Sequence, residues 1–280
     1  METVACYICK SSDQKHFIKN NGFNIVECFN CSHIYLSPRP DSYEIEKYYS
    51  SSYMPHSSET TLFSRLYSMI QSCAFKWKLG IISSFSKGKN ILDFGGGKGD
   101  FVKFLNKNGY NSELYDKNVK QPAILKDREV KVISSETDIK TNHFDLITMW
   151  HSLEHVHDLD KLFFLMNSCL KSSGAVVVSV PNIKAPEMIF FRESWVAFDS
   201  PRHLNHFSSK SLEKIFKDKG YSVQVKKRML HDTVFNVLMS TKKKPVMIAF
   251  FPFILLYSLI AVIVGGPDRS SSLMFVFRKK

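Results

Sequence analysis

Four cysteines near the N-terminus have the spacing of a metal site. Cys6 and Cys9 form one C-x-x-C pair, and Cys28 and Cys31 form a second. Each pair can present two thiolates from one tight turn, so the four together can complete the tetrahedral ligand set that zinc prefers. Because four thiolates leave no open coordination position, such a zinc would be structural. The alternatives are four unrelated buried thiols or two redox-active pairs. Redox-active pairs are disfavoured because the motif occurs twice and neither copy opens a helix after a strand.

A second group of residues suited to chemistry lies in mid-chain, at His151, Glu154 and His155. Spacings of three and four residues place these side chains on one side of a single helical turn. His155 is the preferred general base for an attacking hydroxyl, with Glu154 and His151 beside it. The same letters spell the H-x-x-E-H signature of inverted metalloproteases, but that motif needs a longer helix and a distant acidic ligand. Alternatively, Glu154 makes local contacts and His155 is a satisfied buried histidine.

A glycine-rich turn is the element best placed to bring a ligand to these residues. The apolar run Asn90–Phe94 ends in the turn GGGKGD, after which residues 101–108 have helical spacing. A strand, a glycine turn and a helix let backbone approach a ligand without a side-chain collision. The spacing Gly95-x-Gly97-x-Gly99 lacks the last glycine of the dinucleotide fingerprint G-x-G-x-x-G, since Asp100 stands there. The turn therefore favours S-adenosylmethionine (SAM) over NAD.

Strands alternate with helices through the middle of the chain. Four segments have the apolar character of strands: residues 111–115, 130–133, 144–150 and 175–180. A helix is predicted over residues 158–170, followed by a turn that ends at Gly174. This order predicts an α/β fold with a doubly wound, mostly parallel Rossmann-like sheet and ligands above the carboxyl ends of its strands. Asp116 follows the second strand, where it can accept hydrogen bonds from the two hydroxyls of a ribose. Alternatively, Asp116 has no ligand role and only forms the turn after that strand. Helical spacing over 61–85 predicts a helix that leads into this domain.

The C-terminal part contains a long apolar segment. Residues 246–264 carry no charge and follow Lys242, Lys243 and Lys244, so by length they qualify as a transmembrane candidate. However, Pro252 interrupts the segment, and residues 272–277 have the pattern of a final antiparallel strand that could pair with residues 222–226. Because a chain that returns to its sheet cannot have crossed a bilayer once, we expect a membrane-dipping or in-plane helical hairpin. A buried core helix or a dimer interface is the alternative.

Composition and charge narrow the class of protein. The chain has 280 residues, 38 Lys and Arg against 26 Asp and Glu, and a net charge of +12. The basic residues are scattered and not interleaved with aromatic ones, so no nucleic-acid partner is expected. The start has no signal-peptide pattern, which predicts a cytoplasmic protein with reduced cysteines. Cys73 and Cys169 are expected to be core residues.

Four segments together resemble the class I SAM-dependent methyltransferases: ILDFGGGKGDF, FDLITMWHSLEHVHD, LKSSGAVVVSVPN and FRESWVAFDSPRHLNHFSSKSLEKIFKDKGY. They are most similar to the bacterial branch that carries an N-terminal C-x-x-C…C-x-x-C module and often acts on sugars, glycans or other small metabolites. The resemblance covers nearly the whole chain. It implies a Rossmann-like fold, SAM as cofactor and methyl transfer, and it leaves the acceptor open.

The resemblance also implies roles for particular residues. It places Asp93, Gly95, Gly97 and Gly99 at the methionine end of SAM, Asp116 at its ribose and Trp150 along its edge. Leu114 and Tyr115 precede Asp116, where the family commonly has an apolar residue and glycine. In related O-methyltransferases of the ubiquinone type, two acids and a histidine bind a divalent metal at the positions of His151, Glu154 and His155. Here His151 replaces the first acid.

These patterns predict a division of the chain into four regions. A zinc-ribbon-like module spans 1–40, a connector and leading helix 41–85, the methyltransferase domain 86–230 and 270–280, and a hydrophobic hairpin 242–268. Within the domain, the irregular segment 183–207 is expected to be an acceptor lid. In this segment, Arg202 and His203 could hold an acidic or phosphate-bearing acceptor. His203 is also a further catalytic candidate. Alternatively, Pro201 and the histidines only fix the conformation of the loop.

The expected reaction is transfer of a methyl group to a small molecule, a sugar or a lipid-linked glycan, on oxygen. Alignment of the reactants would supply most of the catalysis, and His155 would assist deprotonation. The apolar hairpin suggests peripheral contact with the inner face of the membrane. One alternative is a non-catalytic scaffold whose zinc ribbon recruits a partner; another is an NAD-linked reductase.

Overall fold

The computed structural model describes residues 1–49, 62–117 and 129–280, with residues 62–70 described by their backbone. The described strands are β1 (Gln14–Asn20), β2 (Phe23–Cys28), β3 (Ile34–Leu36), β4 (Asn90–Phe94), β5 (Asn111–Tyr115), β6 (Lys131–Ile133), β7 (Phe144–Trp150), β8 (Leu170–Pro181), β9 (Asn205–His206), β10 (Tyr221–Lys227) and β11 (Ser272–Lys279). The helices are α1 (Leu62–Phe85), α2 (Asp100–Lys107), α3 (Leu159–Cys169), α4 (Met188–Phe191), α5 (Ser209–Asp218), α6 (Leu230–Lys243) and α7 (Phe251–Gly265).

The main sheet has seven strands in the order β10-β11-β8-β7-β4-β5-β6. Strands β4 to β8 pair in parallel, whereas β11 runs antiparallel to both β8 and β10. This confirms the predicted α/β fold, including the antiparallel final strand and its partner. The predicted turn at Gly174 lies inside β8 instead. Phe144 pairs with Leu170 and Leu146 with Ala175, so the residues between form a bulge within one strand.

Alternating side chains of the central strands build two apolar cores, one on each face of the sheet. Ile147 and Val176 belong to one core, and their neighbours Leu146 and Val177 belong to the other. Cys169 is buried as expected, but the expectation for Cys73 was wrong, because α1 presents that residue to solvent. The helices thus cover both faces and leave the carboxyl ends of the parallel strands open for ligands.

The N-terminal strands form a second sheet with the order β1-β2-β3-β9. An Asn21-Gly22 turn with φ angles of 50° and 86° joins β1 to β2, as tight hairpins require. The fourth strand, β9, comes from the segment predicted to be the acceptor lid. The N-terminal module and that segment therefore share one sheet.

The apolar segment forms a short turn of helix at Pro245–Phe250 and then α7, which packs against α6. Among the described residues, Pro245–Gly265 is the one helix long and apolar enough to cross a membrane. Ile254, Ser258 and Val262 are buried, at intervals of four residues, so one stripe of α7 faces the protein. Most of the remaining helix surface is not covered by the described residues.

Candidate active site

The turn between β4 and α2 forms a backbone cradle. Gly95, Gly97 and Gly99 have φ angles of 75°, 57° and 76°, which favour glycine. A Cβ atom on Gly95 would lie 2.4 Å from Ser152 Cβ, whereas no described residue lies within 4 Å of a Cβ atom placed on Gly97. The cradle is thus packed by protein at Gly95 and open at Gly97, where a ligand can approach the backbone.

Two aspartates flank the cradle at the ends of adjacent strands. Asp93 is buried in β4 and accepts a hydrogen bond of 2.6 Å from Thr148 Oγ1. Burial raises the pKa of Asp93 to about 6, although the Thr148 hydroxyl and the charge on Lys78 oppose the shift. Asp116 follows β5, and its Oδ2 accepts the Gly97 N–H at 3.0 Å. The predicted cofactor residues of both strands therefore meet at the glycine turn.

A cavity of about 890 Å³ opens beside this cradle. Gly95, Gly97 and Asp116 line one part of it, and His151 and His155 line another. The N-terminal region supplies a third part through Tyr7, Arg39 and Tyr49. The structure therefore brings five of the predicted site residues to one cavity and adds a wall from the N-terminal region. The other predicted cofactor and catalytic residues do not line it: Asp93, Gly99, Trp150, Glu154 and His203.

Trp150 lies at the end of β7 and packs under α1, and it does not line the cavity. Its ring packs against Trp77, with ring centroids 6.2 Å apart, and Lys78 Nζ lies 4.4 Å from its centroid. Burial lowers the pKa of Lys78, while Asp93 and Asp232 oppose that shift. Lys78 is therefore a partly desolvated cation near the cradle. The sequence pattern of α1 indicates only a packing helix and does not predict this cation.

His151 is held by two carboxylates, and it lies before the helical turn that was predicted to include it. It has a positive φ of 53° and precedes a single turn of 3₁₀ helix at Leu153–His155. Its Nε2 lies 3.1 Å from Asp232 and its Nδ1 lies 3.5 Å from Glu154. Burial disfavours the charged ring, but Asp232 and Glu154 outweigh it and raise the pKa of His151 to about 10. His151 is therefore a cation, which cannot act as a general base.

His155 lies in a different environment, beside segment 183–207, which was predicted to be the acceptor lid. Its Nδ1 lies 3.0 Å from the Arg202 carbonyl oxygen and 3.0 Å from Tyr49 Oη. Because a carbonyl can only accept, Nδ1 carries the proton, and Nε2 of the neutral ring has the lone pair. Burial and the nearby His203 lower the pKa of His155 to about 4. The ring is therefore neutral near pH 7 and able to accept a proton.

A possible metal-ligand set lies next to His155. The potential ligand atoms of Glu154, His155 and His203 all lie within 4.8 Å of one another. Glu154 is fully buried, and neither of its carboxylate oxygens has a hydrogen-bond partner among the described residues. His203 donates from Nδ1 to the Ala197 carbonyl at 2.8 Å, which leaves its Nε2 4.0 Å from Glu154 and 3.8 Å from Asp199. Two imidazoles and a carboxylate arranged in this way suit a divalent cation or a hydroxyl-bearing ligand.

The four N-terminal cysteines converge as their spacing predicts. Their sulfur atoms lie within 4.8 Å of one another, with 3.4 Å between Cys6 and Cys31 and between Cys9 and Cys28. Four thiolates around one zinc ion lie about 3.8 Å apart, given Zn–S bonds of about 2.3 Å. The donor set therefore fits zinc.

Three residues of the site have no signal in the sequence that would find them. Asp232 reaches His151 from the start of α6, and Asp199 reaches His203 and Arg202 from the irregular segment. Tyr49 reaches His155 from the tyrosine-rich connector. Each contact joins residues far apart in the chain or inside an irregular segment, where periodicity gives no information.

In the parallel sheet, the glycine cradle follows β4 and an acid follows the neighbouring strand β5. These two features define a Rossmann-like protein that binds an adenosine-containing cofactor. Residues 72–225, more than half of the chain, match the family model described as a methyltransferase domain. The chain belongs to this family. No curated protein sequence matches it. Family membership disfavours both the NAD-linked reductase and the peptidase.

Solved structures share the fold at low sequence identity. Phosphoethanolamine N-methyltransferase 2 from Haemonchus contortus, in complex with SAM, is 20% identical with a TM-score of 0.50; the match covers 73% of this chain and 52% of that one. The [4+2]-cyclase SpnF is 14% identical with a TM-score of 0.51, over 75% of this chain and 82% of that one. Since one neighbour is an N-methyltransferase and another a cyclase, the shared fold does not identify the acceptor.

Proposed function

We propose that the protein is a SAM-dependent methyltransferase that methylates an oxygen of a small-molecule, sugar or lipid-linked glycan acceptor. The observation that carries this proposal is the glycine cradle, open at Gly97, in one cavity with Asp116 and His155. Asp93 and the three glycines would hold the methionine end of SAM, Asp116 its ribose and Trp150 its edge. When bound, SAM supplies a methyl group on a positively charged sulfur.

The residues of the chain would act mainly by positioning and by handling one proton. His155 is neutral, and the Arg202 carbonyl fixes its tautomer, so Nε2 can take the proton of an acceptor hydroxyl. Its lowered pKa makes it a weak base, so alignment of the acceptor carries more of the rate. Glu154 and His203 would hold the acceptor hydroxyl or a divalent cation beside it, and the His151 cation would keep the Glu154 carboxylate ionised.

Two further parts of the proposal concern zinc and location. A structural zinc held by the four cysteines would stabilise a module too small to bury a sufficient core alone. Contact with a membrane through residues 246–264 would place a cytoplasmic enzyme at the inner face, where a lipid-linked acceptor is found. Support for these parts comes from the sulfur geometry and from the apolar helix.

The experiment is SAM-binding calorimetry followed by transfer of a labelled methyl group. Polar metabolites and lipid extracts from cells that lack the protein are incubated with it and methyl-labelled SAM, and the labelled product is identified by mass spectrometry. We expect SAM binding and label on an oxygen, with less label for His155→Ala at unchanged SAM affinity. Absence of SAM binding would favour the non-catalytic scaffold. Binding with label on nitrogen or carbon would refute the proposed acceptor atom.

A further inference from the structure

Exposed apolar side chains are concentrated on one part of the surface. Of the twenty large apolar side chains that are exposed in the described chain, thirteen lie in residues 230–264. We name this surface the docking face; it comprises the exposed apolar side chains of α6, Pro245–Phe250 and α7. Its most exposed members are Val264, which is 81% exposed, and Val246 and Phe253, which are each 72% exposed. Soluble monomers rarely expose so many contiguous apolar groups, so the docking face indicates a partner.

The topology determines how such a partner can be met. Strand β11 follows α7 and returns to the main sheet between β8 and β10, so both ends of the α6–α7 pair are fixed to the same domain. In addition, α7 buries the stripe of Ile254, Ser258 and Val262 against the protein. A helix anchored on one side and at both ends cannot be surrounded by lipid, but it can lie in the plane of an interface.

Charge favours an anionic lipid surface as that partner. Lys242 and Lys243 are exposed at the end of α6, directly before the apolar segment. Within residues 230–264 the single acidic residue is Asp232, and it is paired with His151 away from the docking face. Basic side chains at the edge of an apolar surface are the arrangement that binds anionic headgroups, whereas a protein partner would more often require a mixed polar rim.

The docking face also packs against segment 183–207, whose Arg202 carbonyl contacts His155 in the wall of the cavity. Val237 of α6 and Ile254 of α7 share a core with Trp195 and Phe198 of segment 183–207. The Val196 N–H donates to Ser240 Oγ at 3.0 Å, which ties the same segment to α6. A bilayer against the docking face would therefore lie next to the predicted acceptor lid.

We propose that the docking face seats in the headgroup region of an anionic bilayer, with α7 in the membrane plane, and thereby presents the cavity to acceptors carried on lipids. This inference rests on the proposed function and narrows its acceptor class. It requires no crossing of the bilayer, and it includes α6, whose sequence alone does not indicate a membrane segment.

The test is co-sedimentation of the full chain with phosphatidylcholine vesicles, with and without phosphatidylglycerol. We expect binding to the anionic vesicles, and a loss of roughly tenfold or more in partitioning for Phe253→Asp with Leu256→Asp, since each buried side chain contributes substantially to transfer. The matched control is Phe164→Asp, which changes a 78% exposed phenylalanine on α3 and should leave binding unchanged. Lys242→Glu with Lys243→Glu should weaken binding to anionic vesicles only.

Three outcomes would overturn the inference: no binding by the unchanged protein, equal binding by the docking-face and Phe164 variants, or a stable dimer in solution that the docking-face substitutions dissociate. Thermal melting of each variant shows whether it folds, and the lysine variant gives a second test that leaves the apolar packing intact. SAM affinity is measured in parallel. If the unchanged protein binds SAM but not vesicles, this inference alone is refuted, whereas absent SAM binding refutes the proposed function.

Discussion

The substitution Gly97→Ala tests the cofactor cradle most directly. Gly97 has a φ of 57°, and no described residue lies within 4 Å of the added methyl group. The cost to folding is therefore the left-handed backbone conformation, about 1–2 kcal/mol. For a chain of this size that cost lowers the melting temperature by only a few degrees. A cofactor seated against the cradle would meet the methyl group, and a penalty of about 1.4 kcal/mol or more corresponds to at least a tenfold weaker affinity.

The control is Gly109→Ala in the same domain. Gly109 has a φ of 82° and equally open surroundings, but it follows the far end of α2 and does not line the cavity. Both variants should lose similar stability in thermal melting, and only Gly97→Ala should lose SAM affinity in calorimetry. Equal SAM affinities for the two variants would show that the cofactor does not bind at this turn.

Four further results are expected. Asp116→Asn should weaken SAM binding roughly tenfold or more in calorimetry, because hydrogen bonds to a charged group contribute about 1.5–3 kcal/mol, while circular dichroism stays unchanged. Cys28→Ser should abolish zinc binding, measured by elemental analysis, and lower the melting temperature; unchanged zinc content would exclude the four-sulfur site. The acid limb of the methyl-transfer rate should lie near pH 4, not 6.5, because His155 with a pKa of about 4 stays neutral until that pH and loses its lone pair below it. In Asp232→Asn, the NMR-measured pKa of His151 should fall from about 10, since a carboxylate that stabilises the cation is lost; an unchanged value would refute that ion pair.

The fold was predictable because its signals are local. Apolar periodicity over short windows identifies the strands of the main sheet and the helix α1, and the order of elements implies a parallel sheet. The pairing of β11 with β10 followed from the final apolar strand and was confirmed. The bulge before Ala175 was missed, since a Ser-Ser-Gly sequence is equally typical of a turn that ends a strand.

The site was only partly predictable, because its contacts join distant parts of the chain. The glycine turn and Asp116 are found by their positions after strands, where a parallel sheet brings them together. The different states of His151 and His155 depend on Asp232 and on the Arg202 carbonyl, which lie 81 and 47 residues away in sequence. Residue spacing predicts a shared helical face, but it cannot supply the carboxylate that makes one ring a cation or the burial that keeps the other neutral.

The shared N-terminal sheet links the cysteine module to the turn that carries Glu154 and His155. The Leu36 N–H donates to the Leu204 carbonyl at 2.9 Å, and the Leu204 N–H donates to the Glu154 carbonyl at 2.8 Å. His33 adds a buried side-chain contact of 3.2 Å to Asn205. Two consecutive backbone hydrogen bonds thus join the module to the turn that carries Glu154 and His155. Since the Leu36–Leu204 bond forms only if β3 is in place, we expect that ordering of the cysteine module helps to order this turn, whereas the glycine cradle belongs to the other sheet.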